Sequence, residues 1–367
     1  MLDFQIKNPT LILDEAICRR NLKKMAVKAK SLNLKLAPHF KTHQSLKVAE
    51  WCKDYEIDEI SVSSFRMAFY FRDRGFKNIH IAFPFNPLLI EDLSLMQGQP
   101  VSIQLVNEEV ARLVSQKVER SIGFFIEIDA GYGRTGVPVE NFEVIDNILR
   151  VIAENKNMNF KGFYIHAGHT YHANLEGIKK IHKENQEAFR VLKAKYQSQY
   201  PELVCRSGDT PSASLMENFD HIDELGPGNF VFYDLTQAAI GSCNKEDIAV
   251  ALASPVVDVK VGKNEILIHG GGVHLSKDVL NDNEVKNFGE VVLFEKDKWI
   301  IPAERAFLKS ISQEHGLIHA PDALMERIKI GDVIGILPIH SCMTADCMRS
   351  YRTLDNDLID HLEGTMK

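Results

Sequence analysis

Lys41 stands between His39 and His43 in the stretch PHFKTHQS. An amine there can form a Schiff base with a carbonyl if its surroundings lower its pKa; the plainer reading is a surface lysine in a loop. DAGYGRTGV supplies Asp129 and Arg134, with three glycines that let backbone approach a ligand and a guanidinium that offers a fixed fork of donors. A glycine-rich turn with a surface arginine is the alternative. YIHAGHTYHA carries Tyr164, His166, His169, Tyr171 and His172, which could ligate a metal or hydrogen-bond a ligand. RSGDTPSAS offers the small donors Gly208, Thr210 and Ser212, and GPGNFVFYD places Gly228 and Asn229 in a tight turn with free N–H groups. PIHSCMTADC sets His340 and Cys342 as H-x-C, an imidazole and a thiol suited to zinc. Two residues apart in extended chain, both side chains would point the same way. Two protein ligands would leave the positions that an open, catalytic site needs, and a buried histidine and cysteine are the competing explanation. Glu314 and His315 in SQEHGLI could join that site.

The elements that must position these residues alternate. Short apolar, β-rich runs at 34–39, 59–64, 79–83, 101–106, 122–129, 160–166, 202–208 and 221–226 are separated by helical patterns. EEVARLVSQKV places Val110, Leu113, Val114 and Val118 on one face. NFEVIDNILRVIA does the same with Phe142, Ile145, Leu149 and Ile152, with Ile148 on the flank. Asp14 is suited to cap a helix that runs past Leu22, Met25, Ala26 and Ala29. Eight strands alternating with helices predict an α/β fold, a TIM-like (β/α)8 barrel. A doubly wound open sheet is the rival, but no G-x-G-x-x-G follows the first strand. After about residue 240 the helical period gives way to short strands split by turn residues, which predicts a second, C-terminal all-β domain. The expected boundaries are 14–240 for the barrel and 241–367, plus an N-terminal strand within 1–13, for the β-domain.

In such a barrel reactive residues sit at the C-terminal ends of strands, and the loops after strands seven and eight form the usual phosphate site. Those loops are here the ones holding Thr210 and Gly228–Asn229. A phosphate anchor across the mouth from Lys41 points to pyridoxal phosphate (PLP).

Composition narrows the classes. The chain has 367 residues, 45% of them hydrophobic and 25% charged, which is ordinary for a globular protein and excludes wholesale disorder. A formal net charge of −7 leaves no basic surplus for nucleic acid. No run of 18 apolar residues suggests a membrane span, and MLDFQIKNPT does not read as a secretory signal. Six scattered cysteines without a C-x-x-C suggest a reducing, cytoplasmic setting.

The ordered set TLILDEAICRRN, PHFKTHQS, DAGYGRTGV, FYIHAGHTY, SGDTPSAS, GPGNFVFYD, SQEHGLI and PIHSCMTA resembles the D-serine dehydratase and D-threonine aldolase family, of the alanine-racemase-like PLP enzymes. The resemblance spans essentially the whole chain. It implies a barrel plus β-domain, usually a homodimer with active sites near the subunit interface. It implies that Lys41 holds PLP as a Schiff base and that Arg134 faces the cofactor's phenolic oxygen. Tyr164 and Tyr171 would contact the cofactor, Tyr171 also being a candidate acid/base. Thr210, Gly228 and Asn229 would bind the phosphate, and His340 and Cys342 the metal, zinc or another divalent ion such as manganese. Alanine racemases carry R-P-G where this chain has Gly226-Pro227-Gly228, so their pyridine-contacting arginine is missing.

The implied activity is a PLP-dependent lyase on a small D-β-hydroxy amino acid. Two outcomes share the same lysine and metal: D-serine dehydrated to pyruvate and ammonia, or D-threonine cleaved to glycine and acetaldehyde. The thiol ligand favours the dehydratase, since the aldolases often use a harder ion. An amino-acid racemase, with Tyr171 or a partner-subunit residue on the opposite face, is a third option. A PLP-carrier protein is the non-enzymatic one, against which the β-domain and the H-x-C pair speak.

Overall fold

The computed structural model describes residues 2–96, 98–282 and 285–365. The chain forms two compact units, one of Lys23–Lys41 and Glu50–Gly228, the other of Met1–Leu22, Thr42–Ala49 and Asn229–Lys367.

The first unit is an α/β barrel. Its eight parallel strands are Lys35–Leu36, Glu59–Val62, Asn78–Pro84, Val101–Leu105, Ile122–Asp129, Met158–Ile165, Val204–Ser207 and Glu224–Leu225. The eighth pairs with both the seventh and the first. The ring is nearly closed by a single bridge, His39 to Ser61, where Phe40 N–H donates to the Ser61 carbonyl at 2.8 Å and Ser61 N–H to that of Pro38 at 2.9 Å. All eight predicted strands are present.

Apolar periodicity and caps account for the barrel helices. Asn107 accepts from Val110 N–H at the start of Glu108–Lys117, and Asn141 from Val144 N–H at the start of Phe142–Ala153. The second helix buries Ile145, Ile148, Leu149, Val151 and Ile152. In the first the buried face is Ala111, Val114 and Ser115, rotated from the one the large residues suggest. The two helices pack together, and small residues suit a close contact: Ser115 Oγ donates to the Val151 carbonyl at 3.1 Å. Inside the barrel Arg206 is 1% exposed, with its guanidinium on Glu224 at 2.7 Å, on Glu59 at 3.4 Å and on His80 Nδ1 at 3.0 Å.

The second unit is an antiparallel β-barrel. Val250–Lys260 pairs with Glu265–His269 and with Val333–Pro338. Through His315–His319, Phe307–Ile311 and Gly289–Phe294 the sheet returns to Val333–Pro338 and closes. Leu252, Val256, Ile266, Ile268, Leu308, Ile318, Ile334 and Ile336 fill its core. The N-terminal strand Thr10–Leu13 lies in this sheet, antiparallel to Val250–Lys260. Asp14 then caps the helix Glu15–Ser31, accepting from Ile17 N–H at 2.9 Å.

Candidate functional site

In the barrel unit the strand ends position a polar mouth. Lys41 follows the first strand, is exposed, and donates its backbone N–H to His39 Nδ1 at 3.3 Å. After the fifth strand the Asp129 carboxylate accepts from Gly131 and Gly133 N–H at 3.0 Å each, so it shapes the loop that presents Arg134. Gly136 closes that loop at φ +110°, and a Cβ there would sit 2.6 Å from Asp129 N. The Arg134 guanidinium lies over the Tyr132 ring at 5.1 Å.

Strand six delivers Tyr164, buried, with its hydroxyl where a Gly208 Cβ would be (2.3 Å). Only glycine leaves room for that phenol, whose pKa burial raises. The three histidines that follow make different contacts. His166 Nδ1 meets the Gly208 carbonyl at 2.7 Å, and burial, then the Lys41 charge, lower its pKa to about 4. His169 stacks on Tyr132 at 18°, and His172 is exposed. Among the described residues, the ligand atoms of these three histidines are not gathered closely enough to share one ion. Tyr171 Oη accepts from Thr210 N–H at 3.2 Å.

The loop after strand seven opens the helix Thr210–Leu215, capped by Asp209, whose Oδ2 accepts from Ser212 N–H at 2.8 Å. Asp209 is buried, and burial raises its pKa. Thr210 is fully buried and its Oγ1 finds no hydrogen-bond partner among the described residues. A buried hydroxyl without a partner is costly unless a ligand supplies one. This unmatched hydroxyl, at the start of the helix Thr210–Leu215, fits a phosphate group at Thr210 and so a PLP held on Lys41. Gly228 is buried at the end of the loop after strand eight.

In the β unit, Asn229 begins a 3-10 turn and its side-chain amide is turned to Asp234 Oδ2 (2.6 Å), Ser341 Oγ (3.1 Å) and Cys342 Sγ (3.5 Å). His340 and Cys342 lie at the turn into the helix Ser341–Met348, with His340 as its N-cap, not in extended chain. They still meet, through a hydrogen bond between the two side chains. Cys342 Sγ is 3.3 Å from Thr42 Oγ1. His340 Nδ1 faces Asp278 Oδ2 at 3.6 Å. Burial opposes a charge on this imidazole, but Asp278, Cys342 and Asp234 outweigh it and raise the pKa. A carboxylate behind one ring nitrogen and a sulfur beside the ring form a donor set that fits zinc. Glu314, expected near this pair, instead faces His269 Nε2 at 3.5 Å and His274 Nε2 at 3.6 Å, while His315 Nδ1 meets Ser312 Oγ at 3.3 Å. Asp278, Asp234, His269 and His274 escaped the sequence reading, although the spacing in HGGGVH, two histidines flanking a glycine run, was a usable signal.

An α/β barrel with a lysine at its mouth and a separate β-barrel defines the architecture of barrel-type PLP enzymes. The family model "Alanine racemase, N-terminal domain" matches residues 13–235, and "Putative serine dehydratase domain" matches 249–354. The chain belongs to the alanine-racemase-like, fold-type III PLP enzymes and is related to D-serine and D-hydroxyaspartate dehydratases. It is 26% identical to the D-serine dehydratase of Dictyostelium discoideum, over 96% of this chain and 94% of the relative. The D-threo-3-hydroxyaspartate dehydratase of Delftia sp. strain HT23 is 24% identical in sequence over 96% and 95% of the two chains. Its structure superposes with a TM-score of 0.89, at 22% identity, over 97% of this chain and 98% of that one. The D-threonine aldolase of Filomicrobium marinum superposes at 0.83, with 20% identity, over 98% and 96%. Among the described residues no helix is long and apolar enough to cross a membrane.

Proposed function

We propose that the protein is a PLP-dependent D-serine dehydratase, converting D-serine to pyruvate and ammonia with the help of a divalent metal. The observation that carries this reading is the His340–Cys342 pair, backed by Asp278, within the stretch that matches the serine dehydratase model. When bound, PLP supplies an electron sink for charge developing at Cα, and zinc a Lewis acid for the departing β-hydroxyl. Lys41 would hold the cofactor and, once freed by the substrate amine, take the Cα proton. Thr210, Gly228 and Asn229 would hold the phosphate, the last two through backbone N–H. Arg134 would face the phenolic oxygen, and Tyr164 and Tyr171 would hold the ring, Tyr171 remaining a candidate acid/base. Manganese in place of zinc would suit the aldolase alternative, but a thiol is a soft ligand and favours zinc. None of the six cysteines is joined in a disulfide, which suits a cytoplasmic setting. A homodimer rests on the family resemblance.

The test incubates the zinc-loaded holoenzyme with D-serine, D-threo-3-hydroxyaspartate and D-threonine. Pyruvate, oxaloacetate and acetaldehyde are assayed in parallel, with Lys41→Ala as control. We expect pyruvate from D-serine, lost by at least about a thousandfold in the variant. Acetaldehyde as the main product assigns the aldolase reaction instead, and oxaloacetate formed far faster than pyruvate moves the substrate to the hydroxyaspartate class. Exchange at Cα without any of these products would mark a racemase.

A further inference from the structure

We propose that His269, His274 and Glu314 form a second divalent-cation site, distinct from His340 and Cys342, in which the cation ties the segment Gly272–Asp278 to the neighbouring hairpin. The three donors come from three places in the β unit. His269 ends the strand Glu265–His269, His274 lies in the short helix Gly272–Leu275, and Glu314 sits in the turn before His315–His319.

The backbone holds these places together before any ion arrives. Gly270 N–H donates to the Glu314 carbonyl at 2.9 Å, Gly272 N–H to that of Ser312 at 2.8 Å and Val273 N–H to that of Gln313 at 3.2 Å. Gly271 is pressed so close that a Cβ would lie 2.5 Å from the Gln313 carbonyl oxygen. Glu314 Oε2 is 3.5 Å from His269 Nε2 and 3.6 Å from His274 Nε2, and the three donor atoms all lie within 4.8 Å of one another. Ligands at about 2.0–2.1 Å from a tetrahedral zinc ion are about 3.3–3.5 Å apart, so two of the three spacings are nearly those of an occupied site. Two imidazoles and one carboxylate also leave a fourth position open to water. The donors are nitrogen and oxygen only, a harder set than His340 with Cys342.

One local contact works against the ion. Gly271 N–H approaches His274 Nδ1 at 3.2 Å, which places the ring proton on Nε2, toward Glu314. A cation on Nε2 replaces that proton and shifts the ring to the Nδ1–H form, giving up the Gly271 contact. The site is therefore weaker than one with a ready-made tautomer. In return the ion fixes a segment with a further role: four residues after His274, Asp278 reaches His340 Nδ1. The same segment also packs on the helix that begins at Ser341, where Thr344 Oγ1 donates to the Leu275 carbonyl at 3.2 Å.

Cobalt(II) is the probe, because a thiolate ligand gives it a sulfur-to-metal charge-transfer band that nitrogen and oxygen ligands do not. We expect the holoenzyme to bind two equivalents, one with that band. His340→Ala/Cys342→Ala should keep one equivalent without the band. Glu314→Gln alone should keep the band and lose the other equivalent, with its affinity falling at least about tenfold. Cobalt should slow amide exchange in Gly272–Asp278 in the parent but not in Glu314→Gln once the band has saturated. Retention of both equivalents by Glu314→Gln, or a parent that binds cobalt only with the sulfur band, overturns the proposal. A parent that binds cobalt only without the band supports it, and removes the His340–Cys342 site from the proposed function. The single variant needs no tolerance of the double one, so the test survives if His340→Ala/Cys342→Ala fails to fold.

Discussion

The two units bring polar side chains together in different ways. At the barrel mouth, partners on successive strand ends lie about one strand–helix repeat apart: His166 and Gly208 are separated by 42 residues, and Tyr171 and Thr210 by 39. In the β unit, Cys342 meets Asn229 across 113 residues and Thr42 across 300. A parallel barrel turns sequence order into angular order around a mouth, so each strand end has a known neighbour. An antiparallel barrel with long connections has no such rule. Its contacts are set by register and by which turn happens to face which.

The contrast extends to what the buried charges do. Beneath the barrel mouth Arg206 is locked among Glu224, Glu59 and His80, all inside the unit. This arrangement supports the fold. Arg206→Met should therefore give the largest effect on stability, about 3–5 kcal/mol, because it leaves the buried Glu224 carboxylate with only the exposed Lys35 ammonium at 3.9 Å. Urea unfolding of the holoenzyme checks it. Adding Glu224→Gln to Arg206→Met should restore part of the loss. A change below about 1 kcal/mol would break the contrast, by showing that these charges are not structural.

The same contrast explains what was legible in the sequence. The barrel strands stood out because each is a short apolar run followed by a helix of period 3.6, and the mouth residues were found by reading the strand ends in turn. His340 and Cys342 were found as a motif, yet their meeting arises from a helix start rather than from extended chain. Asp278 has no local signal, because it becomes a partner only when the second barrel brings its turn to His340; Asp234 meets Asn229 locally, five residues away, and reaches Ser341 only through the fold. Glu314 faces His269 and His274 because adjacency in the β-barrel follows the pairing of Glu265–His269 with His315–His319, which no local pattern announces. The expected face of Glu108–Lys117 holds at Val114 and Val118, which are buried, but misses Ala111 and Ser115, since hydrophobic size does not reveal which small residues a neighbouring helix touches.

Asp278→Asn sharpens the comparison from the side of the β unit. Its carboxylate stands behind His340 and is partly exposed, so its loss should leave folding nearly unchanged. The effect should fall on the metal: an amide orients the imidazole less firmly, and zinc affinity should drop about 10–100-fold. Competition with a chromophoric chelator measures this. PLP affinity, read from cofactor absorbance, should not move. If the variant instead lowers stability as much as Arg206→Met, the β unit's cluster is part of its core and the proposed division of roles fails.

The smallest effect concerns acid. In the β unit, burial lowers the pKa of His43 to about 3, against the pull of Asp360, and that of His361 to about 4. In the unfolded chain both rings protonate near about 6.5. Below that value the unfolded state binds protons that the folded state refuses, so stability is complete above about pH 6.5 and declines as pH falls toward the folded values. The slope approaches about 1.4 kcal/mol per pH unit for each ring. Buried Asp234 works in the opposite sense, since burial raises its pKa and acid favours its folded form. The total slope therefore mixes both signs, and a single substitution separates them. His361→Asn should make the urea midpoint fall less steeply between pH 7 and 5 than in the parent, whatever its value at pH 7. An unchanged slope would mean that the His361 ring takes its proton in the folded state, and that its burial is less complete than its packing beside Tyr351 implies.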